Sequence, residues 1–101
     1  MTEQPFILWV QARVKPEHLA EVAEAAARTL ALTLQEPGCV AFHQTTQHED
    51  PCHFCFFEYF ASPTAHAEHL AKPYTKAFFE LLEGKLEAEP LFQQLNLLAA
   101  G

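Results

Sequence analysis

One short stretch, between Glu58 and Phe79, brings together several kinds of side chain that can move protons. A carboxylate, Glu58, is followed by two imidazoles, His66 and His69, and then by the phenol of Tyr74. Imidazoles, and carboxylates in apolar surroundings, are the groups that proteins use as general acids and bases. We therefore expect acid–base chemistry in this stretch, with Glu58 and His69 as the catalytic residues.

Each of these residues also has a purely structural explanation. Glu58 could be a carboxylate at a strand end that is bonded to backbone N–H groups or to a lysine. His69 could be a surface or capping histidine, although Ala65 and Leu70 indicate that one side of its helix faces the core. We expect His66 to be exposed. If Glu58 is instead buried among apolar side chains, its pKa is raised and it can act as a base or an acid.

The aromatic side chains predict an apolar cavity that holds a flat organic molecule. Nine phenylalanines in 101 residues are rich for a small domain, although core packing explains any one of them equally well. The glycines, at positions 38, 84 and 101, form no phosphate-binding loop, so we expect no nucleotide cofactor. The expected substrate-binding residues are Trp9, Phe42, Phe56, Tyr59, Tyr74 and Phe78.

A metal site is the alternative for the segment Cys52-His53-Phe54-Cys55, together with His43 and His48. On a strand, Cys52 and Cys55 point to opposite faces and cannot share one ion. A redox pair with this spacing normally opens a helix, whereas this one opens a strand. We therefore predict no metal site.

Composition excludes several kinds of partner. Six basic against 13 acidic residues give a formal charge of −7, which repels nucleic acid. No apolar run reaches the roughly 18–20 residues that a membrane span needs. The beginning of the chain lacks the basic region of a signal peptide, and three cysteines do not form a disulfide framework. We expect a cytoplasmic protein.

Hydrophobic periodicity predicts one domain, residues 1–101, of the α+β class. The order β-α-β-β-α-β is the split arrangement of ferredoxin-like folds, an antiparallel four-stranded sheet with helices on one face. The second and third strands should form a hairpin. The predicted strands cover 6–14, 39–47, 52–60 and 90–98, and the predicted helices cover 16–34, 63–70 and 74–86.

The third predicted strand is apolar on both faces, whereas helices cover only one face of such a sheet. Packing two sheets face to face would bury the second face and occupy the excess of phenylalanine. We therefore expect a homodimer that forms a dimeric α/β barrel.

Several short motifs together resemble the antibiotic biosynthesis monooxygenase domain family, over about Phe6 to Leu98. Their order and spacing carry the resemblance more than any one of them does. They are Glu36-Pro-Gly-Cys-Val-x-Phe42, Phe57-Glu58-Tyr59, Ala65-x-x-x-His69-Leu70 and Tyr74-x-x-x-Phe78.

The resemblance implies a homodimeric ferredoxin-like barrel that oxidises aromatic polyketides or quinols with O₂, without metal or flavin. It places Glu58 and His69 at the polar positions and Trp9 and Tyr59 in the pocket walls. Tyr74 stands where relatives often have a histidine. Haem-degrading relatives use a histidine ligand where this chain has Phe79, so the resemblance does not extend to haem degradation.

The sequence thus predicts a cofactor-independent monooxygenase acting on a quinol or a polycyclic phenol. Two alternatives stay open. One is an isomerase of a small (phospho)carbonyl compound, which would turn over without consuming O₂. The other is a non-catalytic dimeric protein that binds a small aromatic molecule and leaves it unchanged.

Overall fold

The structure is a computed structural model that describes residues 4–100. It contains the predicted β-α-β-β-α-β order, with the second helical segment divided at Pro73 as expected. A short 3₁₀ turn at Pro16–His18 precedes the first helix. The elements are β1 (Phe6–Arg13), α1 (Leu19–Thr33), β2 (Cys39–Gln47), β3 (Asp50–Phe60), α2 (Pro63–Ala71), α3 (Pro73–Leu82) and β4 (Leu91–Leu95).

The four strands form one antiparallel sheet in the order β2-β3-β1-β4. This confirms the ferredoxin-like fold, in which the first and third strands occupy the centre. It also confirms the hairpin, because β2 and β3 pair from Cys39↔Phe60 to Gln47↔Asp50 with a two-residue connection. The two central strands therefore hold the middle of the sheet in a fixed register.

The helices pack on one face of the sheet, as the amphipathic pattern predicted. In α1 the buried residues recur at helical spacing, and the small side chains of Ala25 and Ala26 let the helix approach closely. Val22 and Ala26 pack with Phe54 and Phe56 of β3 in the buried core cluster. This packing positions α1 above the centre of the sheet.

The predicted end of the last helix was wrong. Leu86 continues the apolar spacing, but α3 ends at Leu82, and Gly84 adopts a positive φ of 77° that turns the chain. Leu86 instead forms an isolated bridge with Val14, just after β1. The final strand exists where it was expected but is shorter, Leu91–Leu95.

The two faces of the sheet differ in what covers them. Glu58 and Phe56 of β3 lie on the face beneath the helices and are buried. Trp9, Phe57 and Tyr59 point to the opposite face, since side chains alternate along a strand, and they remain half-exposed. None of the helices within residues 4–100 is long and apolar enough to cross a membrane.

Candidate active site

Glu58 is a buried carboxylate in the middle of an apolar surface. The strand register places Leu8 and Phe42 directly beside it, and Phe56 and Phe60 lie two positions away on the same face. Glu58 is only 8% exposed, and residues 4–100 offer its carboxylate no hydrogen-bond donor or cation. Of the two explanations for Glu58, the structure thus favours burial among apolar side chains over a carboxylate bonded to backbone N–H groups or to a lysine.

Burial is the cause of an altered acidity at Glu58. Loss of water disfavours the charged form and raises the pKa of this carboxyl from its ordinary 4.5 to about 7. At neutral pH the group is thus present in comparable amounts as acid and as carboxylate. A group in this state takes up and returns protons readily, which is what general acid–base catalysis needs.

Glu58 borders a cavity between the sheet and the helices α1 and α3. The cavity measures about 90 Å³, several times the roughly 10–15 Å³ that one water needs on the same measure. Its walls are mostly apolar, and three of the predicted substrate-binding residues, Phe42, Phe56 and Phe78, belong to them. A few convergent polar groups in an apolar pocket are the usual composition of a small-molecule site.

His69 of α2 also lines this cavity and is 5% exposed. Its Nδ1 lies 2.9 Å from Oε2 of Glu36, which follows the end of α1. The ring packs against Phe60, with the two ring centroids 5.0 Å apart. The structure therefore places His69 in the wall of the cavity and not at the surface.

Glu36 accepts a second hydrogen bond, from the hydroxyl of Tyr74 at the start of α3. Burial, followed by the bond to Glu36, raises the pKa of Tyr74 to about 12, so the phenol stays protonated and donates. With Glu36 as a pure acceptor, the neutral His69 ring carries its proton on Nδ1. Its Nε2 is then an acceptor available to a molecule in the cavity.

Local sequence determines where α2 lies. The hydroxyl of Ser62 caps the helix by accepting from the backbone N–H of Ala65, at 3.0 Å, and Pro63 occupies the first turn. The helix ends at Ala71 because Lys72 takes an extended conformation ahead of Pro73. The short helix therefore presents His69 in its last turns, next to the start of α3.

Gly38 lets α2 come close enough for the contact between His69 and Glu36. A Cβ placed on Gly38 would lie 2.4 Å from Cβ of Ala65, a distance that real Cβ atoms do not show. The carbonyl of Gly38 also accepts from the N–H of Ala61, at 2.8 Å. The turn after Glu36 thus sets the distance between α1 and α2.

His66 differs from its prediction. It is half-buried rather than exposed, stacking on Phe6 with ring centroids 4.3 Å apart and meeting Phe60 edge-on at 5.3 Å. Burial, with the proximity of His69, lowers the pKa of His66. The imidazole therefore packs as a flat, neutral ring, a role that its position three residues before His69 did not reveal.

The remaining predicted site residues lie in two different places. Tyr74 stands behind His69, where it binds Glu36. Trp9 and Tyr59 are not among the residues around the cavity and lie on the opposite face of the sheet. Within the subunit, the structure thus separates these two from Glu58.

Sequence reasoning did not identify Glu36 or Thr75 as site residues. Glu36 stood in the Glu-Pro-Gly-Cys motif, which was the one available signal, but its partners lie 33 and 38 residues away along the chain. Thr75 lines the cavity from α3. No sequence pattern distinguished it from any other helical threonine.

The cysteines and the other histidines form no metal-binding group. Among residues 4–100, no three His, Cys, Asp or Glu side chains are arranged to hold an ion. Cys52 and Cys55 are both buried and free. His53 pairs instead with Gln11, its Nε2 lying 2.9 Å from Oε1 of the glutamine.

The antiparallel sheet, the helices on one face and the apolar cavity between them define an α+β protein of the ferredoxin-like class. The family can be stated as well. The model of the antibiotic biosynthesis monooxygenase family matches residues 5–81. The chain belongs to this family, and the resemblance inferred from its motifs is confirmed.

Solved structures support the same fold. A crystal structure of an antibiotic biosynthesis monooxygenase is 22% identical, with a TM-score of 0.88 over 93% of this chain and 99% of that chain. The protein PA3566 from Pseudomonas aeruginosa is 20% identical, with a TM-score of 0.88 over 98% and 99% of the two chains. A conserved protein from Methanosarcina mazei is 22% identical, with a TM-score of 0.86 over 92% of each chain. No curated protein matches the sequence.

Proposed function

We propose that this protein is a cofactor-independent monooxygenase that oxidises a quinol or a polycyclic phenol with O₂. Membership of the family suggests the reaction class. The observation that carries the proposal is Glu58, a carboxyl with a pKa of about 7 in an apolar cavity beside His69. A phenol bound there meets a base in surroundings from which bulk water is largely excluded.

The proposed reaction needs no external reductant. The substrate loses two hydrogen atoms and gains one oxygen atom, so that a ring C–H becomes a quinone carbonyl. This is a four-electron oxidation, and it matches the reduction of O₂ to one inserted oxygen and one water. All of the electrons come from the electron-rich ring, which is why deprotonation must come first.

Glu58 in its ionised form takes the phenol proton. The phenolate gives one electron to O₂, and the resulting aryloxyl radical and superoxide combine to form a C–O bond. Protonation of this peroxide and loss of the ring hydrogen as a proton break the O–O bond and release water. The acid form of Glu58 or the protonated His69 ring supplies the proton, because both groups line the cavity.

Glu36 and Tyr74 support this chemistry by holding the imidazole. Glu36 receives the Nδ1 proton of His69, so that Nε2 faces the reaction and any positive charge gained by the ring is compensated. Tyr74 fixes Glu36 in turn. In the proposed mechanism these two residues position His69 and do not touch the substrate.

We also propose that the protein works as a cytoplasmic homodimer. The uncovered face of the sheet carries the half-exposed side chains of Trp9, Phe57 and Tyr59. On the same face of the adjacent edge strand β4, Leu91 and Leu95 are 54% and 37% exposed. A second copy of the chain would bury this apolar surface.

One observation weighs against an isomerase of a phosphorylated compound. Within the described part of the chain, no lysine or arginine lines the cavity, whereas a bound phosphate needs compensating positive charge. A protein that only binds an aromatic molecule remains the second candidate. It would bind the ligand saturably and leave it chemically unchanged.

Oxygen uptake tests the proposal. The purified protein is incubated with a panel of hydroquinones and polycyclic phenols, uptake is followed with an oxygen electrode, and products are identified by mass spectrometry. We expect one ¹⁸O atom from ¹⁸O₂ in the product and much slower uptake by His69→Ala. Uptake no faster than in the His69→Ala variant across the panel would refute the proposal. Binding without uptake would favour the second candidate.

A further inference from the structure

The polar groups around the cavity divide into two sets. Thr29, Thr33 and Gln44 are tied to the backbone, each donating to a carbonyl oxygen of α1 at 2.8 or 2.9 Å. Each of these three side chains therefore already donates a hydrogen bond within the protein. The other three groups are the carboxyl of Glu58, Nε2 of His69 and the hydroxyl of Thr75.

Thr75 is the unexpected member of the second set. It is 2% exposed, and its Oγ1 is the one side-chain nitrogen or oxygen atom within residues 4–100 that is itself completely shut off from solvent and lacks a hydrogen-bond partner. Buried hydroxyls in proteins are almost always bonded. Because Thr75 belongs to the cavity wall, its unbonded hydroxyl is a candidate partner for a ligand atom.

The break between α2 and α3 explains why Thr75 has no partner in the protein. A helical threonine usually donates to the carbonyl three or four residues earlier, as Thr29 and Thr33 do. Thr75 lies in the first turn of α3, after the extended residue Lys72. The carbonyl of Lys72 already accepts the backbone N–H groups of Thr75 and Lys76, both at 3.1 Å.

The hydroxyl is also held in a defined place. The neighbouring residue, Tyr74, is bonded to Glu36, which is bonded to His69. The start of α3 is thereby fixed relative to the imidazole. Thr75 consequently belongs to a fixed part of the cavity wall, at the start of a helix, rather than to a loop.

We propose that Oγ1 of Thr75 binds a second oxygen atom of the substrate, while Glu58 or His69 receives the phenol hydrogen. This inference rests on the proposed function and narrows its substrate class to aromatics that carry two oxygen substituents. The single hydroxyl of a monophenol bonds to the base, so the Thr75 hydroxyl is left without a partner. A threonine hydroxyl both donates and accepts, so the second oxygen is either a hydroxyl or a carbonyl.

Binding without O₂ tests the inference. Affinities are measured anaerobically by calorimetry for an ortho and a para dihydroxynaphthalene, each paired with the naphthol in which methyl replaces the second hydroxyl. The wild-type protein should prefer at least one diol over its methyl partner by about tenfold, the effect of roughly one good hydrogen bond. In Thr75→Val the preference should fall to within about twofold.

Thr33→Val is the matched control, because Thr33 is equally buried in the same cavity wall but its hydroxyl is already bonded to the carbonyl of Thr29. It should keep the preference for the diol, as should Thr75→Ser, which retains a hydroxyl. Circular dichroism establishes that each variant is folded. If Thr75→Val fails to fold, the comparison rests on Thr75→Ala and Thr75→Ser.

Several results would overturn the inference. They are equal affinity of the wild-type protein for both members of each pair, an undiminished preference in Thr75→Val, and the same loss in Thr33→Val. The outcome is distinct from that of the proposed function. If the protein consumes oxygen but substitution of Thr75 does not change the preference for diols, only this inference is refuted. If binding depends on Thr75 but no oxygen is consumed, only the proposed monooxygenase activity is refuted.

Discussion

Two carboxylates in this protein are both largely hidden from water but differ in what surrounds them. Glu58 is 8% exposed, as is the side chain of Glu36. Glu36 accepts hydrogen bonds from His69 and Tyr74. Glu58 accepts none from residues 4–100, and its neighbours in the sheet are aliphatic and aromatic.

The difference shows that partners, rather than depth, decide what a buried carboxylate does. With two donors bound to it, Glu36 holds other groups in place. Without donors, Glu58 has a raised pKa and exchanges protons near neutral pH. One site thus contains a structural carboxylate and a reactive one, assigned by their hydrogen bonds.

The largest expected effect is on the rate with Glu58→Gln. Removal of the base should lower kcat for oxygen uptake by about a thousandfold, within the 10²–10⁴ that general bases contribute. In the wild-type protein the rate should rise with pH through about 7, because Glu58 must be ionised to act. Stopped-flow absorbance and an oxygen electrode measure both.

The matched control for this substitution is Glu80→Gln, which removes an exposed carboxylate of α3. Its rate should equal that of the wild-type protein. A Glu58→Gln variant with a wild-type rate and pH profile would show that another group is the base.

The next effect is on stability, again at Glu58. Because its folded-state pKa lies above the ordinary 4.5, its stabilising contribution is complete below pH 4.5 and is lost as the pH rises to about 7. The shift corresponds to roughly 3 kcal/mol of unfolding free energy. Glutamine does not ionise, so the Glu58→Gln variant lacks this pH-dependent loss. The unfolding free energy of the variant minus that of the wild-type protein should therefore rise by about 3 kcal/mol between pH 4.5 and about 7 and then stay constant.

Urea denaturation at a series of pH values measures the difference between the two proteins. Curves that run parallel from pH 4 to 8 would contradict the burial of an unpaired carboxyl at this position.

The smallest of the three effects is at Glu36. Glu36→Gln makes the acceptor neutral and weakens two hydrogen bonds by about 1 kcal/mol each, so the protein should lose about 2 kcal/mol of stability at pH 8. This is opposite in sign to the result for Glu58→Gln. Urea denaturation under the same conditions gives both values.

Tyr74→Phe is the companion variant, since it removes one of the two donors to Glu36. The substitution Tyr74→Phe should destabilise the Glu36→Gln variant less than it destabilises the wild-type protein, because the two residues interact. Fully additive losses would show that the bond between them contributes nothing.

Local patterns predicted most of the fold and one half of the site. Alternation along β3 placed Glu58 on the face of Phe54, Phe56 and Phe60, and the structure confirms it. Periodicity failed at Leu86, because it records apolar spacing and not the positive φ with which Gly84 ends the helix. The strand order followed from the β-α-β-β-α-β succession alone.

The other half of the site depends on tertiary contacts that local spacing does not encode. Glu36 acquires its role only when α2 and α3 bring His69 and Tyr74 to it. The hydroxyl of Thr75 lacks a partner because the carbonyl of Lys72 already accepts two backbone N–H groups. Conversely, alternation alone places Trp9 and Tyr59 on the face away from Glu58, and their expected contact with a substrate remains a prediction.

The missing Cβ of Gly38 has a consequence for redesign of this protein. Ala65 would lie 2.4 Å from any Cβ at position 38, so the two positions have almost no freedom to vary independently. Substitution libraries aimed at new substrates should keep both residues and randomise the aromatic walls at Phe42, Phe56 and Phe78. The close contact between positions 38 and 65 should therefore be kept fixed, whereas the aromatic residues of the cavity wall are the positions that directed evolution can vary.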